Sequence, residues 1–178
     1  MSLTARRSLR RTRTMAAAVA AITLLGSLAG CGSTSSASGA TGPSSVTVDA
    51  AYLLQVQATV LVNSRGYALY MFAPDGQRHV TCVSLCAGSW PPVYIAAGGQ
   101  AHAGHSVIER LLGSDTDPAG GRVVTYNSWP LYTYDADVQP RIATGQGIDD
   151  DGGYWYLMGV DGTPVDPAGD GTPPVPTT

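Results

Sequence analysis

The sequence predicts an all-β fold: two tandem β-meander repeats, packed as one compact domain, with a short helical insertion. Two observations indicate it. Apolar residues occupy alternate positions through residues 56–62, which is the period of a strand with one apolar face. The chain also repeats itself, because a shift of 62 residues places Tyr70 and Asp75 on Tyr132 and Asp137. Such a repeat is expected when one structural unit occurs twice.

The first repeat covers about residues 56–95. Its first strand ends in a tight-turn sequence at residues 63–66, and residues 67–72 form a second strand rich in aromatic residues. Pro74 and Gly76 end this second strand, because proline lacks an N–H donor and glycine allows a positive φ. A long loop and a further strand then complete the repeat.

The second repeat covers about residues 120–160 and follows the same order. Trp155 corresponds to Trp90 at a shift of 65, which indicates a small insertion in the second loop. Between the repeats, residues 106–112 predict a short helix, because their apolar side chains fall on one side and Gly113 follows.

Successive side chains of a strand point to opposite faces. Tyr70 and Phe72 should therefore share one face of their strand, and the leucine before them should lie on the other. The same spacing in the second repeat places Tyr132 and Tyr134 on one face.

The chain begins with the pattern of an exported lipoprotein. Five arginines lie within the first 13 residues, and an apolar run follows over residues 15–29. This run is shorter than the roughly 20 residues of a membrane-spanning helix. It ends at Leu28-Ala29-Gly30-Cys31, the pattern of a lipobox, whose cysteine is acylated and becomes the mature N-terminus. The sequence predicts a signal peptide over residues 1–30 and lipidation, for example with palmitate, at Cys31.

Composition divides the rest of the chain. Residues 31–45 combine the lipidated cysteine with a flexible stalk of small residues. Residues 46–165 form the β domain, and the proline-rich residues 166–178 predict a disordered tail.

The charge of the mature chain limits its partners. It contains no lysine, and its five arginines stand against 13 acidic residues, a formal charge of −8. This charge repels nucleic acid and anionic lipid headgroups. We therefore expect no nucleic acid partner, and attachment to the outer face of the cell membrane through acyl chains on Cys31.

The two cysteines of the domain, Cys82 and Cys86, lie four positions apart. In an oxidising compartment they favour a structural disulfide, which is feasible where the chain turns. The alternatives are a redox dithiol and a soft-metal site that includes His79. A redox motif normally has two intervening residues, and a zinc site needs four close ligands.

These motifs resemble those of a known family, the bacterial secreted-repeat lipoproteins of unknown function. Residues 70–75 and 132–137 resemble its Tyr-x-aromatic-x-x-Asp motif. Residues 82–92 are similar to its Cys-x-x-x-Cys-Ala-x-x-Trp-Pro-Pro segment. Residues 145–147 and 152–155 are similar to the glycine-rich end of its second repeat. Ser84 and Ser128 depart from the pattern, since both stand where the family has glycine. The resemblance implies an architecture and an extracytoplasmic location, but no activity.

The motif residues allow two interpretations. As structural residues, their aromatic rings pack between sheets and their aspartates accept backbone N–H groups in turns. As functional residues, they form an aromatic and carboxylate surface that binds a cation, a sugar or a peptide. The structural interpretation is favoured, because packing and turns already account for each residue type. The set comprises Tyr70, Phe72, Asp75, Trp90, Tyr132, Tyr134, Asp137 and Trp155.

The sequence contains no recognisable catalytic motif and implies no cofactor. It therefore predicts a binding or structural module of the cell envelope, with an envelope protein or polymer as its ligand, and not an enzyme. One alternative is a metal-binding or electron-transfer partner that uses His79, Cys82, Cys86 or Met71. Another is a hydrolase of envelope polymers, which would need a histidine paired with a nucleophile or a carboxylate.

Overall fold

The computed structural model describes residues 42–165. The predicted signal peptide, Cys31 and the tail at residues 166–178 lie outside this part of the chain. Within residues 42–165, ten strands, one α-helix and two 3₁₀ turns follow one another. They are β1 (Ser45–Leu53), β2 (Ala58–Asn63), β3 (Tyr70–Phe72), a first 3₁₀ turn (Ala73–Asp75), α1 (Cys86–Ser89), β4 (Tyr94–Ile95), β5 (Gln100–Ala103), a second 3₁₀ turn (Glu109–Leu111), β6 (Leu112–Thr116), β7 (Arg122–Tyr126), β8 (Trp129–Pro130), β9 (Ile148–Asp150) and β10 (Gly153–Leu157).

The strands form three small sheets, which confirms the all-β class. In the first sheet β1 pairs antiparallel with β2 and parallel with β5. In the second, β10 lies between β3 and β9, and in the third, β7 pairs with β4, β6 and β8. None of the helices described in residues 42–165 is long and apolar enough to cross a membrane.

The two repeats are interleaved and do not lie side by side. β3 of the first repeat pairs with β10 of the second, and β4 of the first pairs with β7 of the second. At the centre, Tyr70 and Tyr132 exchange backbone hydrogen bonds, with N···O distances of 2.9 and 3.0 Å. Each repeat therefore completes the sheets of the other.

Two apolar cores cover opposite faces of the central strands. One core contains Tyr70, Phe72 and Tyr132, with Tyr134 packed against it. The leucines that precede the two tyrosines, Leu69 and Leu131, lie in the other core. This confirms the predicted faces. Leu61 belongs to the second core and is fully buried, so β2 is covered on both faces and not on one.

Three further local predictions need correction. The helix expected at residues 106–112 is a 3₁₀ turn at Glu109–Leu111, and Gly113 belongs to β6. The reason is tertiary: Leu112 pairs with Tyr126 across the sheet, and the Tyr126 hydroxyl accepts the Ile108 N–H. A helix of two turns is too short to compete with such contacts.

The stalk expected through residue 45 ends earlier, because β1 begins at Ser45 and pairs with Gln100 of β5. The strand expected at residues 67–72 is regular only over Tyr70–Phe72, and Ala68 forms an isolated bridge with Val62.

Candidate functional site

The motif residues of the two repeats bind each other reciprocally. The Tyr70 hydroxyl donates to Asp137 Oδ2 at 2.7 Å, and the Tyr132 hydroxyl donates to Asp75 Oδ2 at 2.5 Å. Each tyrosine thus reaches the aspartate of the other repeat. The spacing of the motif makes this possible, since the aspartate follows its own tyrosine by five residues and lies in the turn beyond the strand.

The second oxygen of each aspartate fastens a loop of its own repeat. Asp75 Oδ1 accepts the backbone N–H and the hydroxyl of Thr81, at 2.7 and 2.6 Å. Asp137 Oδ1 accepts the same two groups of Thr144, at 2.8 and 2.7 Å. Neither threonine was predicted from the sequence, although Thr81 follows Asp75 by six residues and Thr144 follows Asp137 by seven, a similar spacing that was a usable signal.

This cluster of two tyrosines and two aspartates is buried. Both tyrosines are fully buried, and Asp75 and Asp137 expose only 2% and 4% of their surface. Burial, together with the Asp137 carboxylate, raises the pKa of Tyr70 far above its usual value. Burial and the charge of Asp75 do the same for the pKa of Tyr132. Burial also raises the pKa of Asp75, against the lowering effect of the hydrogen bonds from Thr81 and Tyr132.

Four aromatic rings form a column beside the cluster. Trp90 and Trp155 stack at its centre with centroids 4.0 Å apart and an interplanar angle of 2°. Phe72 stacks on Trp155 at 4.3 Å, and Tyr134 stacks on Trp90 at 4.0 Å. Repeats therefore alternate along the column, and aromatic packing joins them as the hydrogen bonds do.

Asp150 supports the column. Its Oδ2 accepts the Trp90 indole N–H at 3.1 Å, and its backbone carbonyl accepts the Trp155 indole N–H at 3.2 Å. This role could not be predicted from the sequence, since Asp150 lies in a run of three aspartates that is typical of a solvated turn.

Cys82 and Cys86 form a disulfide, with a Cα–Cα distance of 5.3 Å. Both lie in the core that contains Trp90, and the helix α1 that starts at Cys86 leads directly into the tryptophan. The bridge closes the turn before the column.

The residues proposed for metal or electron transfer do not meet. Met71 lies in one core and the disulfide lies in the other, whereas His79 is exposed. His102 and His105 are exposed as well. Within residues 42–165 no three metal-ligating side chains of the His, Cys, Asp and Glu types come together.

The comparisons with known proteins agree with this architecture. Residues 57–94 and 113–158 each match the family described as "secreted repeat of unknown function". No curated protein and no solved structure matches the chain. The two matched segments coincide with the two interleaved halves of the domain, and a secreted repeat is extracytoplasmic. The chain therefore belongs to the family of secreted repeats of unknown function.

Proposed function

We propose that this protein is a lipid-anchored module of the cell envelope, held at the outer face of the membrane through Cys31, with a binding or structural role. The lipobox at residues 28–31 supports the anchor. The charge of −8 supports it too. An acidic domain is repelled by anionic headgroups, so its own charge cannot hold it at the membrane and an acyl anchor can.

One observation supports a module in preference to an enzyme. The polar groups of the repeat motif are used in binding one another, through Tyr70 to Asp137 and Tyr132 to Asp75. They are buried, so no substrate reaches them without unfolding. Their role is to lock the two repeats into one rigid body, and any ligand must bind to the outer surface.

The alternatives lack comparable support. In nucleophilic catalysis the general base is oriented by a third group, yet the three exposed histidine rings form no hydrogen bond with a described residue. A thiolate metal site needs free sulfur, and the sulfurs of Cys82 and Cys86 are bonded to each other.

The anchor is tested by Cys31→Ser. Cells grown with radiolabelled palmitate should incorporate label into the wild-type protein and retain it in the membrane fraction. The variant should carry no label and should leave that fraction, because the acyl chains supply the membrane affinity.

The matched control is the double variant Cys82→Ser/Cys86→Ser, which removes the other two cysteines and should keep the label. An unprocessed, unlabelled wild-type chain recovered from the cytoplasm would contradict the proposal.

A further inference from the structure

A polar groove of about 440 Å³ lies over β6 and the β7–β8 turn, away from the motif cluster. Gly113 and Thr125, which are paired across the sheet, form part of its floor. A Cβ at Gly113 would lie 2.9 Å from Thr125 Oγ1, so the glycine leaves room for that hydroxyl group. The polar groups around it come from Arg78, Arg110, Ser114, Asp115, Asn127 and Ser128.

The groove concentrates positive charge in an acidic domain. Residues 42–165 contain five arginines and 11 acidic residues. Two of the arginines, Arg78 and Arg110, line this groove, and a third, Arg122, lines the adjoining one and donates to Ser114. Neither Arg78 nor Arg110 forms an ion pair or a side-chain hydrogen bond with a described residue. Two guanidinium groups that line one groove are donors of the kind that bind a carboxylate or a phosphate.

The same groove contains an unsatisfied acceptor. Asp115 Oδ2 is buried and has no hydrogen-bond partner, and it is the only such side-chain atom in the described part of the chain. Its other oxygen accepts the Thr116 N–H at 2.8 Å. A buried acceptor without a partner is unfavourable, so it indicates a missing donor. Oδ2 exposes almost no surface, so a ligand reaches it once the half-buried Asp115 side chain turns toward the groove. The carboxylate would repel a bare anion and would bind one that carries a hydroxyl group.

The rim of the groove is rigid and strained. Arg78, Asn127 and Ser128 have φ values of 63°, 48° and 70°, in the left-handed region. The Arg78 N–H donates to the Ser128 carbonyl at 2.8 Å, and the Gln77 side chain donates to the Asn127 carbonyl at 2.9 Å. These bonds hold the backbone of Arg78 in place before any ligand arrives, which lowers the entropy lost on binding.

We propose that this groove binds an anionic sugar, with its carboxylate or phosphate on Arg78 and Arg110 and a hydroxyl group donating to the Asp115 carboxylate, whose side chain turns toward the ligand. The inference rests on the proposed envelope location for the source of the sugar, and it names the ligand class of the module. Hydroxyl groups of Ser114, Thr125 and Ser128 offer further contacts.

The test is calorimetric titration of the full-length protein, purified in detergent, with four probes. Galacturonate and glucose 6-phosphate represent the carboxylate and phosphate sources, and galactose and inorganic phosphate lack one half of the ligand. At least one charged sugar should bind ten-fold or more tightly than both incomplete probes. Equal binding of inorganic phosphate, or no binding of either charged sugar, would overturn the proposal.

Two double variants locate the site. Arg78→Gln/Arg110→Gln should weaken binding of the charged sugar at least ten-fold. Arg65→Gln/Arg141→Gln makes the same change in net charge outside the groove and should alter binding less than two-fold. An equal loss in both variants would show a general charge effect and no site.

The proposed anchor and the proposed binding site are tested by different outcomes. An acylated protein that binds no charged sugar overturns the groove alone. An unacylated protein that binds it overturns the anchor alone.

Discussion

Tyr70 and Tyr132 each join the two repeats twice. Their backbones exchange hydrogen bonds with each other, and their hydroxyl groups donate to the aspartates of the opposite repeats. The ring of each also meets a column tryptophan edge-on, Tyr70 at 5.4 Å from Trp90 and Tyr132 at 5.2 Å from Trp155. Every one of these contacts lies at or beside the interface between the two repeats. Loss of one hydroxyl group should therefore lower the stability of the whole domain.

Tyr70→Phe removes one hydroxyl and keeps the ring. We expect the free energy of unfolding to fall by about 2 kcal/mol, because a buried Asp137 oxygen loses its donor. Denaturant unfolding measures the change. Tyr134→Phe is the matched control: Phe72 stands at the equivalent position of the column, and the Tyr134 hydroxyl makes no hydrogen bond with a described residue. An equal loss in both variants would contradict the special role of the Tyr70 hydroxyl.

At the scale of elements, the turn between β7 and β8 is strained. Two residues connect Tyr126 to its partner Trp129, and both have a positive φ, as the favoured two-residue hairpin turns require. Ser128 stands where the family pattern has glycine, at φ 70°, and Ser84, the other departure, stands at φ 57°. The pattern has glycine at both places because a side chain is unfavourable in this conformation.

Ser128→Gly should therefore stabilise the fold by about 0.5–1 kcal/mol. Thermal and denaturant unfolding check this. The control is Ser64→Gly in the turn after β2, which lies outside the positive-φ set and should gain nothing. A Ser128→Gly protein that is no more stable than wild type would show that other contacts of Ser128 compensate for the strain.

At the scale of the whole molecule, the fold depends on neutral tyrosines. The pKa values of Tyr70 and Tyr132 are raised by burial and by their aspartates, and burial with Asp117 raises the pKa of Tyr94 to about 12. The pKa of each of these tyrosines is higher in the folded chain than its unfolded value of 10.0, so the tyrosine stabilises the folded state. This contribution is fully present below pH 10. This stabilisation is lost as the pH rises toward and through the folded pKa.

We therefore expect stability to fall steeply above pH 10. Phenolate absorbance should rise in the same transition as circular dichroism reports the loss of the sheets, because the buried hydroxyl groups ionise only when the chain opens. Ionisation of all nine tyrosines with the sheets intact would contradict this expectation.

Local patterns were sufficient for much of this molecule. Strand alternation, the 62-residue repeat and the turn residues after β2 and β3 predicted the fold class and the faces of the aromatic strands. The spacing of Cys82 and Cys86, in an oxidising compartment, predicted their bridge. Each of these depends on residues close in the chain or on a regular period, and such signals can be read along a sequence.

Tertiary contacts decided the rest. The sequence could not show that the tyrosine of one repeat meets the aspartate of the other, because nothing local distinguishes that pairing from one within a repeat. Nor could it show that Leu112 belongs to a strand, since the partner Tyr126 lies 14 residues away. The groove of Arg78, Arg110 and Asp115 draws on both repeats and the segment between them, so it exists only once the chain has folded.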